Sequence, residues 1–450
     1  MGLVSRQQAS LGDRQTWLAA FVLSSGLICS TGPGSAQMLD QYFQPMAVEL
    51  GGVPADQSRG RELSRYEAGG VRVGSFVIRP DVAESFGFNS NVDGFSGGRG
   101  SSFTDTTASL KANSDWSRNS LSLGLSVDDR RYLDVPRQSF TTWSAVVSGT
   151  LDVARDKIGA SYQHQNLIQL PGSLDAVTVL QPVPFTIDTV TLNYHATSFG
   201  RFTFVPEISV ANYNYNNYSG GGVTVSQSYR NRLVLQGSLT TRYEFAPQRD
   251  ALLVVRGASL DYTGRSIKGE PKRNANGGAV LAGLDYPAPG SNFRFRVLAG
   301  MQFREYQSSA YANLATPIGE ASVIWTPTRL TTVTLSARRD IEDASDDTIA
   351  GYTYTAARLN VDHELRRNIT LNGYAELLQA NYPSSSMFTG AQGIPEAGTS
   401  QTIYNFGVGA SWLLNRNIRA AASFGISDHT GSRASNYLSS ISMLTLGIRL

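Results

Sequence analysis

Cysteine is almost missing from this chain. The 450 residues contain one, Cys29, which excludes a disulfide framework and a cysteine-based metal cage. Histidine is scarce too: no two of His164, His195, His363 and His429 lie within five residues of each other, so the usual zinc spacings are missing. Neither sign of charge dominates, with 38 basic and 36 acidic residues, and no block of like charge occurs. That removes the concentrated basic face by which proteins hold nucleic acid. Beyond Gln37 no apolar run reaches the length of about 18 residues that a membrane-spanning helix needs. No G-x-S-x-G or paired-carboxylate motif accompanies the histidines, and no enzyme, metal or other cofactor is expected.

What is present starts with an export signal. Residues 1–36 combine a basic start (Arg6, Arg14), an apolar stretch from Trp17 to Cys29 and the small-x-small site Gly34-Ser35-Ala36. The segment 37–70 is polar and rich in Gly, Arg and Glu. A periplasmic tether, a plug in a lumen and a docking peptide for an export partner all remain open for it.

From residue 71 to 450 the recurring feature is alternation. Trp143, Ala145, Val147, Gly149, Leu151 and Val153 alternate with Ser144, Ser148, Thr150 and Asp152. Leu233, Leu235, Leu239, Tyr243 and Phe245 alternate with Arg232, Gln236, Thr240 and Arg242, and Phe293 to Phe303 alternate with Arg294, Arg296 and Arg304. Period two is the mark of strands with unlike faces. The connections alternate as well: eight tight polar turns, such as Phe199-Gly200-Arg201 and Arg366-Arg367-Asn368, are interleaved with nine longer segments rich in Gly, Ser, Asn and Pro. The longer segments run over 91–102, 132–138, 168–184, 214–226, 264–273, 306–313, 340–350, 381–399 and 428–439.

Eight turns and nine loops separate eighteen strands, and both chain ends fall on the short-turn side. That is the plan of an outer-membrane β-barrel: all-β, antiparallel, up-and-down, with short periplasmic turns and long extracellular loops. Hydrocarbon offers backbone groups no hydrogen bonds, so a sheet survives there only when it closes. A soluble sandwich or β-helix also alternates but explains neither the loop asymmetry nor the apolar outward faces. Sixteen strands is the alternative count, because Pro206 interrupts one strand and Arg256 shares parity with Leu252, Val254 and Leu260, which would point it at lipid unless a bulge intervenes.

Aromatics cluster near the strand ends. Trp116, Tyr243, Phe245, Trp325 and Trp412 lie near short turns, and Tyr213, Tyr262 and Tyr306 near long loops, as expected of two interfacial girdles.

Several stretches resemble a known family: VRVGSFVIRP at 71–80, SDWSR at 114–118, TPTRLTTVT at 326–334, DHELRRN at 362–368 and LNRN at 414–417. The chain is similar over 71–450 to the outer-membrane β-barrel porin family of type 2, found in proteobacteria. The resemblance implies a porin-like barrel, in some relatives encoded beside exopolysaccharide genes, and supplies no catalytic residues.

Eighteen strands enclose a lumen wide enough for water. Alternation assigns Lys111, Arg232, Arg242, Arg294, Arg296, Arg304, Arg338, Arg358, Asp362 and Glu376 to it, with Asp128, Arg130, Glu207, Glu244, Asp285, Glu364 and Arg419. Arginine outweighs acid in this set, which points to a mildly anion-preferring or sugar-tolerant channel. The alternative is that these charges pair across strands and stiffen the wall. Passage of small polar solutes or saccharides is the expected function, with exopolysaccharide secretion as the second. Expected partners are outer-membrane lipid and lipopolysaccharide, the barrel-assembly machinery, and for secretion a polysaccharide export complex. The long loops at 168–184 and 381–399 fold inward as a constriction or reach outward, and alternation does not choose.

Overall fold

The computed structural model describes residues 69–176, 181–220, 223–264, 271–287, 292–346, 348–383, 400–431 and 436–450. The signal peptide 1–36, Cys29 and almost all of 37–70 lie outside the described residues.

Eighteen long strands follow one another. The first six are β1 Phe76–Asn89, β2 Ser101–Ser114, β3 Ser120–Tyr132, β4 Phe140–Val153, β5 Asp156–Gln169 and β6 Val183–Phe199. Then come β7 Phe202–Tyr215, β8 Arg232–Ala246, β9 Arg249–Tyr262, β10 Ala275–Pro287, β11 Phe293–Tyr306 and β12 Leu314–Thr328. The last are β13 Thr331–Glu342, β14 Tyr352–Arg366, β15 Ile369–Asn381, β16 Ser400–Leu413, β17 Ile418–Gly431 and β18 Tyr437–Arg449. Each strand pairs antiparallel with the next, and β18 returns to β1 through the register Asp81↔Arg449 to Asn89↔Ile441. The sheet therefore closes, and every strand has two neighbours, which is the condition for a β structure in hydrocarbon. The count is eighteen rather than sixteen.

Short turns join strands at one end, five of them two residues long. Ala154 and Gln248 take positive φ (57° and 62°) in such turns, and Gly200 does so at 69°, matching the right-handed twist of the flanking strands. Ahead of β1, the three residues Val71–Val73 fold back on it, Val73 opposite Phe76. Pro206 is accommodated within β7 because it pairs with Leu239 on β8, while the β6 ladder skips from Asn193↔Glu207 to Ala196↔Phe204. The missing N–H falls in that gap.

The outer face carries the expected apolar set: Leu121, Leu123, Leu125, Leu233, Leu235, Val297, Met301, Val408, Leu444 and Leu446 are all exposed. Trp116, Tyr243, Phe245, Trp325 and Trp412 are exposed on that face at the turn end. The outer wall also carries charge: Glu84 sits on β1 between exposed Val82 and Phe86, accepting from Thr106 Oγ1 at 2.6 Å.

Arg256 does not face lipid and no bulge is needed. Leu252, Val254, Arg256 and Leu260 share the inner face, and it is Leu253 and Val255 that are exposed outward. Leu252 and Val254 pack inside the barrel with Ala279, Leu281, Leu298 and Ile318 from the three following strands.

Candidate functional site: lumen and inward loops

The strand register turns the inner face of each strand toward one lumen. All ten residues proposed for the lining lie on this parity: Lys111 opposite Gly124, Arg358 opposite Glu376, Asp362 opposite Asn372, Arg296 opposite Asp285, and Arg232, Arg242, Arg294, Arg304 and Arg338 on the same side of their strands. The further residues Asp128, Arg130, Glu207, Glu244, Glu364 and Arg419 share it.

Most of these arginines are paired. Arg130 holds Asp105 at 2.9 Å, Arg419 holds Asp81 at 2.9 Å, Arg256 holds Glu320 at 2.7 Å, and Arg338 bridges Asp340 and Glu342. Arg358 reaches Glu376 at 3.4 Å. Cross-strand pairing therefore absorbs most of the arginine excess that had suggested anion preference. One site concentrates arginine: Asp285 faces Arg296 at 2.5 Å, Arg242 at 3.5 Å and Arg294 at 3.7 Å, and Arg242 also lies 3.7 Å from Asp250.

Tyr213, Tyr262 and Tyr306 do not form an outer girdle. All three are buried on the inner face. Each shares the parity of an inward arginine, and each ring is used there. Arg232 lies over Tyr213 at 4.1 Å, Arg273 over Tyr262 at 4.7 Å, and Tyr306 packs on Tyr311 of the next loop. A guanidinium stacked on a ring gains cation–π attraction that grows as water is excluded.

These rings support loops that fold inward at the long-loop end. In loop 170–176, Asp175 accepts from the Tyr382 hydroxyl at 2.8 Å and from the Ser345 backbone N–H at 2.6 Å, and its own N–H donates to Gln401 at 2.8 Å. Burial pushes the Asp175 carboxyl up to about 6, against the pull of these donors and of the Arg230 charge. Loop 343–351 crosses to meet it: Arg230 donates to Ser345 and to Gln169 at 2.8 Å each, and Tyr229 donates to the Ser345 carbonyl at 2.9 Å. Leu174 of one loop and Ala344 and Ile349 of the other share a buried cluster with Tyr352, Tyr354, Leu378, Tyr382 and Ile403 of the wall. Loop 168–184 therefore folds inward over its described part, and the second loop to do so is 343–351. Of loop 381–399 only 381–383 lie within the described residues.

A third loop locks the first. The Cβ of any side chain at Gly94 would lie 2.5 Å from the Pro171 carbonyl, and one at Gly172 would lie 2.2 Å from the Tyr437 hydroxyl. Both glycines also hold positive φ, 72° and 75°, so the two loops meet where only glycine fits. Asp93 beside them is anchored by Arg99 and Arg137; burial alone would raise its carboxyl, and these hydrogen bonds outweigh that and hold it well below the usual carboxylate range.

Asp343 ties the second loop to the wall. Arg304 Nη1 lies 2.6 Å from Oδ1, Arg232 Nε lies 3.0 Å from Oδ2, and Arg273 donates to the carbonyls of Ala344, Asp346 and Ile349. Burial would raise the Asp343 carboxyl, but the three arginine charges outweigh it and hold it low. Asp175, Arg230, Arg273 and Asp343 were not singled out from sequence. Only Asp175 stands there as a lone charge beside small apolar residues; Arg273 follows Lys272, Asp343 follows Glu342, and Arg230 lies between Tyr229 and Asn231.

Beneath these loops lies a cavity of about 320 Å³ lined by β4 to β13. Its wall mixes the amides Gln163, Gln165, Asn193, Gln236 and Gln302 and the hydroxyls of Ser161, Thr189 and Ser209 with Arg256, Glu320 and Arg338. His164 instead faces outward, bonded to Asp188 at 2.7 Å and packed on Trp143. His429 is buried against Tyr437, its Nε2 2.7 Å from Ser427 Oγ, whose proton goes to Asn405. Among the described residues no cluster of three or more His, Cys, Asp or Glu could hold a metal.

Solved outer-membrane barrels resemble this one at low identity. OccK2 (OpdF) of Pseudomonas aeruginosa is 12% identical with a TM-score of 0.43, over 83% of this chain and 97% of that one. OpdK of the same organism, solved with vanillate, is 10% identical with a TM-score of 0.42, over 83% and 98%. The FrpB iron transporter of Neisseria meningitidis is 10% identical with a TM-score of 0.42, over 78% of this chain and 63% of its own, so this chain spans less than two thirds of it. No curated protein matches the sequence. The family described as "Putative beta-barrel porin 2" matches residues 64–450, and the chain belongs to that family of outer-membrane, porin-like β-barrels.

Proposed function

We propose that this barrel passes small polar solutes or saccharides across the outer membrane, after export behind the cleaved signal 1–36. The cavity wall carries the reading: amides and hydroxyls both donate and accept, and so replace the water shell of a hydroxylated solute. Paired arginines leave the lumen close to neutral, with a mild anion bias where three guanidiniums share Asp285 and Asp250. The inward loops make it a narrow, selective route rather than a wide pore. The same wall suits a secreted polysaccharide strand, which is the second reading.

Swelling of proteoliposomes in monosaccharides, disaccharides and long dextrans tests it. Uptake of the small sugars, with dextrans excluded, supports the solute channel. Dextran passage favours the strand, and no uptake of any solute overturns both. A salt-gradient reversal potential displaced slightly toward chloride is expected; clear cation preference would contradict the arginine argument.

A further inference from the structure

Two arginines fixed in the wall converge on one carboxylate that belongs to a loop. Arg232 opens β8 with its guanidinium 4.1 Å above the Tyr213 ring, and Arg304 sits in β11, also donating to the Ile341 carbonyl at 3.2 Å. Their common partner, Asp343, follows the last residue of β13, and the described residues after it have no regular structure until β14. The nearest other acids, Asp340 and Glu342, are already bridged by Arg338. Arg232, Arg304, Tyr213 and Asp343 all line the cavity, so a solute inside it meets this group directly.

We propose that Arg232 and Arg304 form a binding site for a solute carboxylate, and that Asp343 occupies this site as an internal stand-in. The inference rests on the channel reading above. If the loop withdraws, both guanidiniums stay behind, Arg232 in β8 against the Tyr213 ring and Arg304 in β11 on the Ile341 carbonyl, and both lose the carboxylate they share. A buried charge left unpaired is strongly unfavourable, so loop release and solute binding are two halves of one exchange. An anion that binds only the released state shifts the loop equilibrium toward it in proportion to its concentration. Arg273, which holds the loop carbonyls but not the carboxylate, sets how firmly the loop rests in the docked state. A neutral sugar of equal size has no group to exchange for Asp343, so the site discriminates by charge.

The test is the open probability of the full chain in planar bilayers with galacturonate against galactose, two sugars that share a ring and differ by one carboxylate. In the natural protein galacturonate is expected to raise open probability and galactose to leave it unchanged. Asp343→Asn keeps both arginines and removes the stand-in, so its basal open probability rises about tenfold or more and galacturonate acts at lower concentration. Arg232→Gln and Arg304→Gln abolish the galacturonate response, with folding checked by the heat-dependent shift of the barrel on gels. Equal responses to the two sugars in a conducting natural protein overturn the proposal, as does an Asp343→Asn channel indistinguishable from it. Absence of current in every variant overturns the channel reading instead.

Discussion

Arg256 on β9 donates through Nη1 to Glu320 Oε1 on β12 at 2.7 Å, an ion pair that crosses two intervening strands. The side chains lie along the inner wall beside Ala279, Leu298 and Ile318, and so tie four strands together over an apolar patch. Both groups are mostly withdrawn from water, with 15% and 23% of the side chain exposed. Arg256→Gln or Glu320→Gln alone should lower the unfolding free energy by about 1–3 kcal/mol, because the partner is left charged and half-desolvated. Replacing both by Leu should recover most of that loss, since the site is flanked by an apolar cluster. Guanidinium unfolding in lipid vesicles measures it; equal stability of the two single variants and the natural protein would show that the pair contributes nothing.

Acid should tighten the loop closure. The Asp175 carboxyl is raised from 3.8 to about 6 by burial, so the docked state binds its proton more tightly than the undocked one. The stabilisation is then fully present below pH about 4 and is lost as pH rises through about 6, an effect of about 2–3 kcal/mol for a shift of this size. Protease cutting within loop 170–176 should accelerate between pH 5 and pH 7, and Asp175→Asn should flatten that dependence. A cutting rate in the natural protein that ignores pH would refute the account of this loop.

The four tryptophans of the barrel, Trp116, Trp143, Trp325 and Trp412, are all exposed on its outer face. Brominated lipids should quench most of the tryptophan emission. A tryptophan introduced as Tyr213→Trp or Tyr262→Trp should resist that quenching, because those positions face the lumen. Quenching of the introduced residues to the same extent would restore the outer girdle that the buried tyrosines contradict.

Glu84 places a carboxylate among Val82, Phe86 and Phe88 on the lipid face, with Thr106 as its hydroxyl partner. Charges on that face destabilise a barrel in proportion to depth. Glu84→Leu should therefore stabilise the protein by about 1 kcal/mol in vesicle unfolding experiments. A loss of stability would indicate that the carboxylate has a partner in the membrane.

Period-two alternation made the strands, the turns and the lumen parity of the charged residues legible, because a strand shows its two faces directly in its sequence. It could not say which of two apolar faces looks inward. Leu252 and Leu260 share a face with Arg256, and there the charge, not the leucines, decided. Aromatics near strand ends were ambiguous for the same reason: Tyr262 lies near a long loop whether it faces lipid or lumen, and only its shared parity with Arg256 separates the two. The loops were least legible. Their fold depends on contacts between residues far apart in sequence, such as Tyr382 with Asp175 and Arg232 with Asp343, which no local pattern records.

The central claim is the proposal that this barrel is a channel whose outer mouth is narrowed by loops 170–176 and 343–351. It is tested most directly by single-channel conductance in planar bilayers of the natural protein beside a variant in which residues 344–350 are replaced by a short Gly-Ser link. The account predicts small, flickering currents in the first and large, steady ones in the second. Identical currents from both, or a variant that remains sealed, would contradict it.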